Sequence, residues 1–194
     1  MLYLASTSPR RRALLLEAGL TFELVPPGPE PEGSGAPPEL AGQRARSKAV
    51  GAHIPALGAT SAADSSWVLG VDTVVEVDGV ELGKPRDAAH ARAMLQRLSG
   101  REHVVHTALA LRSHPEQVLH ERLESARVRC DAVSEAALTA FLATEAWRGK
   151  AGAYGIQDAE CWFMSLVAGD RETVIGLPVL SLRELLVAAT GQAP

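Results

Sequence analysis

The sequence predicts a mixed α/β fold, and three observations carry that prediction. Short apolar runs alternate with segments of helical periodicity. Asp78-Gly79 stands between two β-rich segments, where it signals a tight hairpin. Hairpins in turn exclude a purely parallel sheet. At 194 residues the chain suits one domain, residues 1–194, with enough length to bury a core.

The elements follow in order. Leu2 to Ala5 reads as a short strand, and Ser8-Pro9 supplies a cap with proline at the first helical position. Leu14, Leu15 and Ala18 recur at helical spacing up to a stop at Gly19. Phe22 to Val25 is a second strand, and Pro26 to Pro38 is a surface loop rich in proline, glycine and glutamate. Pro38 opens a helix to about Val50. Trp67 to Val77 is a strand, and Val80 to Leu82 returns from its hairpin. Asp87 caps a helix over Ala88 to Leu98. Strands His103 to Arg112 and Gln117 to Cys130 meet at a turn near His114-Pro115. Ser134 to Thr144 is helical, Ala151 to Val167 reads as strand, and a last helix begins near Pro178. No internal repeat is present.

Hydrophobic residues make up 46% and charged residues 22%, as in ordinary globular proteins. A formal net charge of -4 argues against long nucleic acid but permits a small anion in a locally positive pocket. No apolar run reaches spanning length, so no membrane association is expected. Met1 to Ala5 runs into Pro9-Arg10-Arg11 without the charged-then-apolar order of a signal peptide, so a cytoplasmic protein is expected. Cys130 and Cys161 are far apart in the chain and read as reduced thiols.

Chemistry concentrates at a few positions. Arg10, Arg11 and Arg12 occupy the first turn of a helix, where the macrodipole disfavours cations by some tenths of a kcal/mol each. They either bind an anion together with free helical N–H groups or form a solvated basic cluster. Asp72 lies inside the apolar run Val68 to Val75, where a buried carboxylate costs several kcal/mol unless it is paired, hydrogen-bonded or metal-bound. It is a base, a metal ligand, or a structural residue bonding nearby backbone. Lys84, in the turn Gly83-Lys84-Pro85, projects into a site or into solvent. Arg44 and Lys48 share a helix face. Glu30 and Glu32 either reach a metal or are simply solvated. There is no Gly-x-x-x-x-Gly-Lys-Ser/Thr loop and no Gly-x-Ser-x-Gly elbow. His103 and His106 point to opposite faces of a strand and make a poor metal pair. Trp67, Trp147 and Trp162 are too scattered for a base-stacking platform.

Read together, these segments form an ordered series: Leu4-Ala5-Ser6-Thr7-Ser8-Pro9-Arg10-Arg11, Ala45-Arg46-Ser47-Lys48-Ala49, Gly70-Val71-Asp72-Thr73-Val74-Val75 and Leu82-Gly83-Lys84-Pro85. Lys150-Ala151-Gly152-Ala153-Tyr154-Gly155-Ile156-Gln157 and Gly176-Leu177-Pro178 complete it. In this order the chain resembles the Maf family of septum-formation inhibitor homologues and nucleoside triphosphate pyrophosphatases. The resemblance implies an elongated mixed β-sheet with flanking helices and a cleft between two lobes, like that of inosine-triphosphate pyrophosphatases. It also implies a cytoplasmic homodimer that cleaves between the α- and β-phosphates with a divalent metal, Mg²⁺ or Mn²⁺. Asp72-Thr73 and the Ala-Gly-Ala-Tyr-Gly-Ile-Gln run match the dTTP/UTP branch, in which Arg11, Thr73 and Gln157 occupy the specificity positions. The resemblance gives Asp72 the role of proton acceptor. Ser8, Arg10, Arg11, Lys48 and Lys84 take the substrate, and Glu30 or Glu32 the metal. A non-catalytic nucleotide-binding regulator of cell division is the alternative. The natural substrate is either a standard pyrimidine triphosphate or a damaged one, whose removal would be a house-cleaning role. Three departures stand out: Pro29-Glu30-Pro31-Glu32 replaces adjacent acidic residues, Asp158-Ala159-Glu160 a glycine-rich turn, and Glu172-Thr173 the commoner pattern. The second alters the base pocket or adds an acidic metal contact.

Overall fold

A computed structural model describes residues 1–31, 33, 35–54 and 66–191. Their elements run β1 (Leu2–Ala5), α1 (Pro9–Glu17), β2 (Phe22–Val25), α2 (Pro37–Val50), β3 (Ser66–Val77), β4 (Val80–Leu82) and α3 (Ala88–Leu98). Then come β5 (Glu102–His114), β6 (Leu119–Cys130), α4 (Glu135–Ala143), β7 (Met164–Ala168), α5 (Arg171–Ile175) and α6 (Val179–Thr190). The strands form one seven-stranded sheet ordered β2-β1-β3-β5-β6-β7, with β4 folded back on β3. β1 pairs in parallel with both β2 and β3, and the other pairings are antiparallel. The expected mixed α/β class is therefore the observed one. No helix among the described residues is long and apolar enough to cross a membrane.

Local chemistry sets the element ends. Ser8 is extended ahead of Pro9, which starts α1 without needing an N–H of its own. Asp78 and Gly79 both take positive φ, 54° and 73°, the geometry that matches a two-residue turn to the twist of its strands. The Asp87 carboxylate accepts the His90 N–H at 2.7 Å, and Ser134 caps α4 by accepting from Ala137 at 3.3 Å. Asp87→Ala leaves that N–H without its carboxylate acceptor. We expect it to lower stability by about 1 kcal/mol, read as a shift in the urea midpoint at constant m-value.

β3 organises the core because its two faces meet different helices. On one face the small residues Ala41, Ala45 and Ala49 of α2 pack on Val74, Ala108 and Ala110. This contact is close. A Cβ on Gly70 would sit 2.2 Å from the Ala45 carbonyl oxygen and 2.6 Å from the Ala49 nitrogen. The other face carries two clusters. Leu69 and Val71 pack with Leu14 and Leu15 of α1 and with Leu182, Leu185 and Leu186 of α6. Val75 and Val77 pack with Met94, Leu95 and Leu98 of α3 and with Leu138 and Phe141 of α4. Thr73 falls between them, and the cleft opens at this break.

One reading of the sequence is corrected. The segment from Ala151 to Val167 is not a strand throughout. It makes two short 3-10 turns, Ala151–Ala153 and Ala159–Cys161, before β7 begins at Met164. Its apolar residues suggested a strand, but Ala153, Tyr154, Ile156, Cys161 and Phe163 fill the core from a loop. The short helix α5 also went unforeseen. His103 and His106 do face opposite ways: His103 meets the Tyr154 hydroxyl at 2.7 Å, and His106 lies between Glu76 and Ser125, each at 2.8 Å. Cys130 and Cys161 are buried free thiols.

Candidate active site

The cleft has a volume of about 420 Å³. Its walls come from the turn between β1 and α1, the loop after β2, Lys48 of α2, the middle of β3, Lys84 after β4, and the segment from Gly149 to Gln157. These elements converge because β1 and β3 are neighbours in register, Ala5 opposite Gly70, so the β1–α1 turn opens beside Asp72.

Asp72 lies at the floor and is buried. Lys48 donates from Nζ to Asp72 Oδ1 at 2.5 Å and to Glu30 Oε1 at 2.6 Å. The second oxygen, Oδ2, is buried with no hydrogen-bond partner. Leaving such an atom unmet is costly, which sets Asp72 apart from a fully satisfied structural carboxylate. Burial raises the Asp72 pKa above the ordinary value, with Lys48 and Arg11 opposing the rise. Burial acts on Glu30 in the same direction, but Lys48, Lys84 and Arg44 together bring its pKa below the ordinary value.

Arg11 is buried with its donors turned toward the nearby Ser6 and two distant segments. Nε donates to the Gly176 carbonyl at 2.9 Å, one terminal nitrogen to Ser6 Oγ at 3.2 Å, and the other to Thr73 Oγ1 at 3.0 Å. Burial pushes its pKa down to about 10, so it stays charged at neutral pH. Thr73 is itself tied to Thr107 at 3.0 Å. Arg10 reaches the Gly149 carbonyl at 3.3 Å; burial lowers its pKa and Asp158 opposes the change. Ser8 lines the cleft, its N–H held by Ser6 Oγ at 3.2 Å. Arg12 is exposed, and Arg44 is held in a two-point pair with Glu81.

The structure thus brings together Ser8, Arg10, Arg11, Glu30, Lys48, Asp72, Thr73, Lys84 and Gln157 around one cleft. Glu32 lies outside the described residues. Sequence reasoning gave no role to Ser6 or Lys150, and singled out Asp158 without its partner. Ser6 serves both Arg11 and Ser8. Lys150 and Asp158 form an ion pair with side chains only 14% and 19% exposed. The one sequence signal for Lys150 was position, since it precedes the Ala151 to Gln157 run.

A Mg²⁺-sized cation typically uses one or two protein carboxylates and takes its other oxygens from substrate phosphates and water. Among the described residues no group of three or more His, Cys, Asp and Glu gathers as a metal cage. Glu30 is a hard oxygen donor on the cleft wall, half-exposed, and shares Lys48 with Asp72. That donor set fits a cation arriving with a polyphosphate.

Fold and cleft together define a protein built to hold a polyanion among cations against a buried carboxylate. The chain belongs to the Maf-like protein family, whose profile matches residues 1–189. It is 42% identical over 188 residues to a dTTP/UTP pyrophosphatase of Thermus thermophilus, covering 96% of this chain and 94% of that protein. A dTTP/UTP pyrophosphatase of Bordetella parapertussis is 44% identical over 194 residues, covering 97% of this chain and 92% of its own length. One from Burkholderia pseudomallei is 39% identical over 197 residues, covering 96% of this chain and 92% of the relative.

Proposed function

We propose that the protein is a nucleoside triphosphate pyrophosphatase that hydrolyses dTTP and UTP to the monophosphate and pyrophosphate. The observation that carries the reading is Asp72: a buried carboxylate with one oxygen on Lys48 and the other unpaired, on the floor of a cation-lined cleft. The names of the relatives supply the substrate class. We extend the reading to a homodimer in the cytoplasm on family resemblance alone.

In this mechanism Arg10, Lys48 and Lys84 hold the triphosphate and offset charge that grows on the leaving pyrophosphate. Arg11, already committed to Ser6, Thr73 and Gly176, keeps the β1–α1 turn and β3 in fixed relation beneath the substrate. A water beside the Asp72 carboxylate gives it a proton as the water oxygen attacks the α-phosphorus. The bond from that phosphorus to the bridging oxygen breaks, and pyrophosphate leaves with the electron pair. A raised pKa makes Asp72 a stronger base than an ordinary aspartate of about 4. Glu30 would hold a divalent cation, Mg²⁺ or Mn²⁺, with the phosphate oxygens. When bound, that ion neutralises phosphate charge and makes the attacking water more acidic. Gln157 reads the base edge, where uracil and thymine set an N3–H donor beside carbonyl acceptors.

The test is pyrophosphate release from dTTP, UTP, CTP, GTP and 7-methyl-GTP, with and without Mg²⁺. Metal-dependent release favouring dTTP and UTP is the expected result. Release favouring another nucleotide would overturn the substrate assignment but keep the reaction. Tight binding with no release would make the chain a nucleotide-binding regulator instead.

A further inference from the structure

Gln157 is exposed on the cleft wall, and an isolated glutamine amide cannot choose between two bases. Turned one way it offers a carbonyl to an N3–H, as uracil and thymine require. Flipped, it offers an N–H to the bare N3 of cytosine and a carbonyl to the cytosine amino group. Discrimination therefore needs something that holds the amide in one orientation.

The structure supplies it next door. Gln157 Nε2 donates to Asp158 Oδ1 at 2.7 Å. The other oxygen of that carboxylate, Oδ2, is taken by Lys150 Nζ. Both partners of this ion pair are largely buried, with side chains 14% and 19% exposed, so the carboxylate does not swing freely. The turn beneath is closed by the Asp158 N–H donating to the Gly155 carbonyl at 3.0 Å. Gly155 also makes room for the arrangement. A Cβ there would stand 2.5 Å from Gln157 Nε2 and 2.6 Å from Asp158 Oδ2. An ionised carboxylate only accepts hydrogen bonds, so it attracts the amide N–H and repels the amide oxygen.

We propose that Asp158, anchored by Lys150, is a specificity-determining positioning residue that fixes the Gln157 amide in the orientation that offers its carbonyl to a base N3–H and so selects uracil and thymine over cytosine. The inference rests on the proposed pyrophosphatase reading. Flipping the amide for cytosine would set its oxygen against Asp158 Oδ1 and give up a charge-assisted hydrogen bond, about tenfold in discrimination.

The test compares kcat/KM for UTP and CTP in the wild type, Asp158→Asn and Asp158→Ser, each checked by thermal melting. Asparagine keeps the shape but can present either an acceptor or a donor to Gln157; serine can do the same with a smaller group. The expected result is a UTP-to-CTP ratio that falls about tenfold or more in both variants, chiefly through a gain on CTP. An unchanged ratio in folded variants, or equal losses on both nucleotides, would overturn the role of Asp158 while leaving the pyrophosphatase reading intact. A wild type that releases no pyrophosphate from UTP would instead overturn that reading and the inference with it. If neither variant folds, Asp158 is a structural residue and the proposal falls.

Discussion

Replacing Asp72 by asparagine is expected to lower kcat for dTTP about a hundred- to ten-thousandfold while leaving KM unchanged or lower. The size follows from removing a positioned proton acceptor. The direction in KM follows from charge, because the native carboxylate repels the triphosphate that Lys48 and the neighbouring cations attract. A pH profile gives the same residue a second signature. Asp72 must be ionised to act, and burial raises its pKa. Wild-type kcat/KM should therefore fall as pH drops through a value above that of an ordinary carboxylate, about 4, and recover as pH rises. In Asp72→Asn that acid limb should be missing. A variant that loses kcat only in step with a rise in KM would show that Asp72 merely holds Lys48 in place.

The second large effect is expected at a residue with no side chain. Gly70→Ala should destabilise the fold by about 3 kcal/mol, measured by urea unfolding, and should cost most of the activity at the same time. The added methyl would collide with backbone, the Ala45 carbonyl oxygen and the Ala49 nitrogen, rather than with a side chain that can rotate away. Relief requires α2 to lift from β3. Lys48 rides on α2 and Asp72 on β3, so lifting the helix opens the 2.5 Å contact between them. A variant as stable and as active as the wild type would show that the approach is looser than the structure has it.

The sequence was most legible where short-range chemistry decides. Pro9, Asp78-Gly79 and Asp87 each act within a few residues, and the helices and hairpin they imply are present, although Ser8 takes the cap position without a side-chain cap bond. Asp72 was legible for a different reason: a carboxylate inside an apolar strand has to be satisfied by something, even before its partner is known. The partner was not readable, since Lys48 is 24 positions away, and neither were the ties from Arg11 to Gly176, 165 positions apart. The stretch before β7 misled because a loop that fills a core has the apolar content of a strand without its geometry. The bond from Gln157 to Asp158 links adjacent residues, yet only the fold shows that both lie over Gly155 beside Lys150.

The cleft wall carries Arg10, Arg11, Lys48, Lys84 and Lys150 against the carboxylates of Glu30 and Asp72 and, behind Lys150, of Asp158. This local excess of positive charge sits on a chain of formal net charge -4. An approaching polyphosphate is therefore repelled by most of the surface and drawn in at one mouth, so capture is guided before any contact forms. Such guidance acts through solvent and is screened over about 8 Å at physiological ionic strength. The rate of capture, more than the fit of the bound nucleotide, is what added salt would erode.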